Sequence, residues 1–138
     1  INSTFLLPDA NQSEVVIEAG TPPVLIPKTG DYFHLYSAGT TGWVPNGNYT
    51  SGYLILDKDD PNIIIQKSKK HILIPTYPYQ IGMGAPYPTQ RNRTIFAPTA
   101  VNLPDSFAND TDIWDYVRIW FGALDANVGT AVIRIKKN

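Results

Sequence analysis

Apolar and polar residues alternate along this chain mainly with a period of two, in short runs, and few stretches show the 3.6-residue period of an amphipathic helix. The alternation is cleanest near the C-terminus, where Ala131, Ile133 and Ile135 share one face and Val132, Arg134 and Lys136 the other. Such a strand has one dry face and one wet face. In Tyr116–Gly122 both parities are largely apolar, with Val117, Ile119 and Phe121 set against Tyr116, Arg118 and Trp120. That pattern predicts a central strand, or one whose second face meets a partner, with Trp114 and Trp120 marking the covered face.

Further β-branched and aromatic runs, bounded by Pro, Gly, Asn and Asp, predict strands over Thr4–Leu7, Glu14–Ala19, Val24–Pro27, Tyr32–Ser37 and Gly52–Asp57. Asn62–Gln66, His71–Pro75 and Arg93–Ala97 complete the set. The expectation is an all-β fold, a two-sheet β-sandwich or jelly roll of about 8–10 short strands. At 138 residues, with no repeat or low-complexity linker, the chain reads as a single domain over 1–138. Residues 1–19 could serve as an extended N-terminal donor strand.

Charge removes two classes of partner. Eleven Lys and Arg against twelve Asp and Glu, scattered rather than clustered, give a net charge of −1 and no field to attract nucleic acid. No apolar run approaches the roughly 20 residues of a membrane span. The chain begins at Ile1 with no basic and apolar leader, as expected after a leader peptide is removed.

Five asparagines stand in the Asn-x-Ser/Thr acceptor pattern: Asn2, Asn11, Asn48, Asn92 and Asn109. Composition alone predicts about one such match. The density therefore points to a glycoprotein at the cell surface, outside the cell or on a virion surface. Sequons without any cysteine suit a thermophilic archaeal surface protein, a virion protein or a bacterial exoprotein better than a disulfide-bearing secreted eukaryotic module.

Candidate chemistry is sparse. There is no Gly-x-Ser-x-Gly elbow, no His-Glu-x-x-His and no phosphate-binding glycine loop. His34 reads as an ordinary strand histidine, and His71, after Lys67, Lys69 and Lys70, as part of a solvated turn. Asp57 and Asp59 place oxygen donors at alternate positions, as hard cations prefer, but such residues also form turns. A second acidic group, Asp105, Asp110, Asp112 and Asp115, surrounds the Asn109 site. The chain has only two Glu, Glu14 and Glu18, and no spacing marks a pair of catalytic carboxylates. The Pro- and Tyr-rich segment 75–88 carries Tyr77, Tyr79 and Tyr87, which with Trp43 and Tyr49 offer flat faces for a sugar ring or a neighbouring subunit.

Two resemblances follow. Gly30-Asp31-Tyr-Phe-His-Leu-Tyr-Ser-Ala38-Gly39, Gly42-Trp43-Val-Pro45-Asn-Gly47, Ser51-Gly52-Tyr-Leu54-Ile55 and Phe96-Ala97-Pro98 resemble galactose-binding-like β-sandwich lectins. That likeness implies sugar binding and a calcium site using Asp125 and Asn127. The N-terminal segment ahead of a Cys-free sandwich is similar to archaeal surface filaments, in which one subunit's tail completes the next subunit's sheet. The reading is a non-enzymatic, glycosylated structural subunit of a filament, pilus, coat or virion, self-assembling through strands and through Trp114 and Trp120. The alternative is a carbohydrate-binding module or lectin. No cofactor is required, calcium being the candidate, and the partners are copies of the chain itself or glycans.

Overall fold

The structure, a computed structural model, describes residues 14–40, 49–77, 95–104, 114–123 and 127–136. They form eight strands: β1 (Glu14–Ala19), β2 (Val24–Leu25), β3 (Tyr32–Thr40), β4 (Tyr49–Leu56), β5 (Ile64–Lys67), β6 (Ile95–Asn102), β7 (Trp114–Ala123) and β8 (Asn127–Lys136). Strands β1–β5 make one antiparallel sheet in the order β1-β3-β4-β5, and β6-β7-β8 make the second. Each sheet is drawn from consecutive strands. The fold is all-β and consists of two packed sheets, as the alternation predicts.

Parity explains the packing. Odd-numbered β3 and β4 residues pair across the strands, Phe33 with Ile55 and Leu35 with Tyr53, and face the second sheet. From that second sheet come Val117, Ile119 and Phe121, with Ala131, Ile133 and Ile135 beside them. Strand β7 is central, with buried odd positions and half-buried even ones. The even face of the first sheet is apolar as well, with Tyr36, Ala38, Leu54 and Leu56 buried there.

Local chemistry shapes the first sheet's edge. β2 and β1 lie end to end along β3, pairing with Tyr32–Phe33 and with Tyr36–Thr40. Thr21 bridges the gap between them. Its N–H donates to the Leu35 carbonyl at 3.1 Å, and its Oγ1 accepts from the Leu35 N–H at 3.2 Å. No main-chain group of Leu35 is left unmet in the dry interior, where that would be costly. The β2–β3 turn closes through Ile26 N–H to the Asp31 carbonyl at 2.7 Å, and Gly30 supplies its left-handed residue, φ 81°.

The predicted strand Thr4–Leu7 lies outside the described residues. His71–Pro75 contracts to one bridge, Leu73 to Ser51, and Pro75, with no N–H to donate, cannot extend the ladder.

Candidate functional site

At one end of the sandwich the sheets part around a cavity of about 430 Å³, within the range of small-molecule sites. Ile26, Phe33, Ile55, Ile133 and Ile135 give it an apolar wall, and Thr29, Asp31, Tyr53, Gln66, Asp115, Arg134 and Lys136 bring polar and charged groups to it. Asp31, Tyr53, Gln66 and Asp115 are the ones that matter.

Asp115 is the anomaly. It belongs to the odd row of β7 that otherwise reads Val117, Ile119, Phe121, Ala123, all buried, and it is itself only 7% exposed. Its Oδ2 is buried with no hydrogen-bond partner among the described residues. A carboxylate oxygen in that position costs free energy unless something meets it. Its cross-strand neighbour is Ile135, which offers no hydrogen bond.

Asp31 reaches the same cavity from the first sheet, 84 positions earlier in the chain. The β2–β3 turn positions it: its N–H donates to Thr29 Oγ1 at 3.2 Å while its carbonyl closes the hairpin. Tyr53 is held by ring stacking on Phe33, 5.8 Å between centroids, and its hydroxyl accepts from Gln66 Nε2 at 2.7 Å. That arrangement leaves the Tyr53 O–H hydrogen and the Gln66 carbonyl oxygen for a guest. Trp114 stands at the rim with the Arg134 guanidinium 4.7 Å from its ring centroid. Apolar walls, an aromatic edge, carboxylates and one hydroxyl donor suit a polyhydroxylated ring, whose C–H faces pack and whose hydroxyls donate.

A second polar cluster lies on the even face. The Glu14 side chain is fully buried, with Oε1 2.9 Å from both Tyr36 Oη and His71 Nε2, and Oε2 2.9 Å from Lys67 Nζ. It joins the β1 edge to β3, β5 and the segment after β5. His71 is therefore not the solvated turn residue its lysine neighbours suggest; its side chain is 8% exposed. None of Glu14, Tyr36, Lys67 and His71 lines the cavity.

The residues singled out in the sequence fall elsewhere. All five glycosylation candidates, Asn2, Asn11, Asn48, Asn92 and Asn109, lie outside the described residues, as do Trp43, Tyr79, Tyr87 and Asp125. Tyr49 is buried at the start of β4, and Tyr77 is 61% exposed. Trp114 and Trp120 lie on the half-buried outer face of β7. Asp57 Oδ1 accepts from the Asp59 and Asp60 N–H groups at 2.8 and 2.9 Å, tying the β4–β5 turn. These bonds hold its pKa below the usual carboxylate value. Asp59 is exposed in that turn and Asn127 opens β8. Among the described residues no three His, Cys, Asp or Glu come together to hold a metal.

Asp31, Tyr53, Gln66 and Asp115 were not marked as site residues by motif. The available signal was parity: extending the β7 alternation one residue below Tyr116 puts Asp115 on the core face.

No protein-family profile matches the sequence, and no curated protein does. Solved structures do match. A Bacteroides ovatus protein assigned to the glycoside hydrolases superposes with a TM-score of 0.61 at 18% identity, over 88% of this chain and 32% of its own. A member of the GH130 family, described as mannoside phosphorylases with hydrolases that target β-1,2 mannosidic linkages in Candida mannan, gives 0.58 at 20% identity, over 84% and 29%. The β-1,2-mannobiose phosphorylase of Listeria innocua gives 0.58 at 22% identity, over 87% and 27%. The chain spans about a third of the length of these structures, and at such identities the likeness carries the fold. It overturns the expectation of a non-enzymatic filament, pilus, coat or virion subunit, and of a lectin as its alternative. The coat reading rested on the asparagine pattern and the lack of cysteine, neither of which bears on the fold. The sequence holds none of the local nucleophile and metal signatures, whereas glycoside chemistry runs on carboxylates with no fixed spacing in sequence.

Proposed function

We propose that this chain is the sugar-holding part of a carbohydrate-processing enzyme acting on glycosidic bonds, with the inter-sheet cavity as its site. The observation that carries the reading is Asp115, an unmet carboxylate in an apolar row at a cavity of sugar size. Similarity to glycoside hydrolases and mannoside phosphorylases supports the choice of substrate class.

In this reading the sugar's apolar face lies against Ile133, Ile135 and the Trp114 edge. Tyr53 donates to a ring or glycosidic oxygen. Asp115 and Asp31 divide the two carboxylate tasks of glycoside cleavage. One delivers a proton to the leaving oxygen as the anomeric C–O bond breaks, and the other assists the attacking water or phosphate on the opposite side.

The test is turnover of β-1,2-mannobiose by the purified protein, with and without inorganic phosphate, following free mannose and mannose 1-phosphate. The expected result is release of either product, with Asp115→Asn and Asp31→Asn each lowering kcat by at least about a hundredfold while the circular dichroism spectrum is kept. No turnover of this or other glycosides, or full activity in Asp115→Asn, contradicts the proposal.

A further inference from the structure

The outer face of the second sheet is charged with one sign. Its even-numbered residues on β7 are Trp114, Tyr116, Arg118 and Trp120, all half-buried. Across the register, Trp114 pairs with Lys136, Tyr116 with Arg134 and Arg118 with Val132, while β6 adds Thr99 and Val101 opposite Trp120 and Arg118. Among the described residues this face holds three cations and no Asp or Glu, in a chain whose net charge is −1. Segregation of that kind is not what the sequence average provides.

Three aromatic rings accompany the charges on one strand. From Trp114 to Trp120 the strand runs about 20 Å, long enough for several sugar units. The Arg134 guanidinium lies 4.7 Å from the Trp114 ring centroid, within cation–π range. Val101 and Val132, each 42% exposed, stand opposite Arg118 on the neighbouring strands.

We infer that this face binds an acidic polysaccharide chain of the uronate type, with the aromatic rings stacking on sugar faces and Arg118, Arg134 and Lys136 meeting the carboxylates. Charge complementarity argues for a polyanion. Three cations fall short of the six to ten phosphate contacts of a typical nucleic-acid site. The choice of a saccharide over other polyanions rests on the carbohydrate reading above; Trp114, Arg134 and Lys136 also line the cavity that holds Asp115, while Arg118, Tyr116 and Trp120 do not.

The test is affinity electrophoresis through gels containing polygalacturonate, neutral mannan or poly(dT). The expected result is retardation by polygalacturonate that weakens with added salt and exceeds that by either other polymer. Arg118→Glu and Trp120→Ala, both away from the cavity, should each weaken retention about fivefold and leave β-1,2-mannobiose binding intact. Val132→Lys, which adds a cation to an exposed position, should strengthen it. No retention by polygalacturonate, equal retention by neutral mannan, stronger retention by poly(dT), or indifference to all three variants overturns the inference. Loss of mannobiose binding with polygalacturonate retention kept would count against the cavity and for the outer face.

Discussion

At the scale of single residues, buried polar groups distinguish a working position from a structural one. Glu14 and Asp115 are both buried carboxylates, yet Glu14 has Tyr36, Lys67 and His71 around it while Asp115 Oδ2 has no partner among the described residues. Removing the Glu14 charge leaves Lys67 and His71 without their anion, so Glu14→Gln should lower stability by about 3 kcal/mol, read from chemical denaturation. Asp115→Asn should cost little stability and remove sugar binding. His34 offers a pH prediction. Burial lowers its pKa from 6.5, partly opposed by a hydrogen bond with the Thr21 backbone. The unfolded chain therefore takes up the proton first. Stability tied to the neutral ring is complete above about 6.5 and is lost as pH falls toward the lower folded value. Melting temperature should drop between neutral and mildly acid pH, and the drop should be smaller in His34→Gln; an unchanged profile in the variant would assign the effect to another group.

At the scale of elements, strand alternation was legible and strand company was not. The pattern in Glu14–Ala19 matches β1 residue for residue, and the wet and dry faces of β8 are those read from Ala131 through Lys136. Parity in β7 foretold a central strand. What the pattern could not supply was the pairing of Asp31 with a β7 residue across the sandwich, because that depends on which sheets pack. The same holds for Glu14, 53 positions from Lys67. Nor could it reveal that Gly52 exists for Tyr36. A Cβ at Gly52 would stand 2.4 Å from the Tyr36 ring and hydroxyl, and the ring is 1% exposed with no room to retreat. Gly52→Ala should therefore destabilise by about 1–3 kcal/mol and loosen the Tyr36–Glu14 bond. Thermal denaturation of Gly52→Ala, alone and combined with Tyr36→Phe, checks this; equal stability to the parent would show that the ring has space to shift.

At the scale of the whole molecule, two sheets made of consecutive strands pack one dry face against another and leave an opening at one end. The packed region supplies rigidity. The opening is the proposed site, where Asp115 interrupts the apolar row and Asp31 arrives from the facing turn. The asparagine pattern pointed toward a coat protein since it registers surroundings rather than chemistry, and every one of those asparagines lies outside the described residues. The fold is similar to part of mannoside phosphorylases and glycoside hydrolases, and the proposal of a sugar site rests on the cavity between the sheets. The central claim is that Asp115 meets a sugar. Crystals grown with saturating β-1,2-mannobiose test it most directly: the account predicts a sugar ring between the sheets with a hydroxyl or glycosidic oxygen at hydrogen-bond distance from Asp115 Oδ2. An empty cavity at saturation, or a sugar seated away from Asp115, would contradict it.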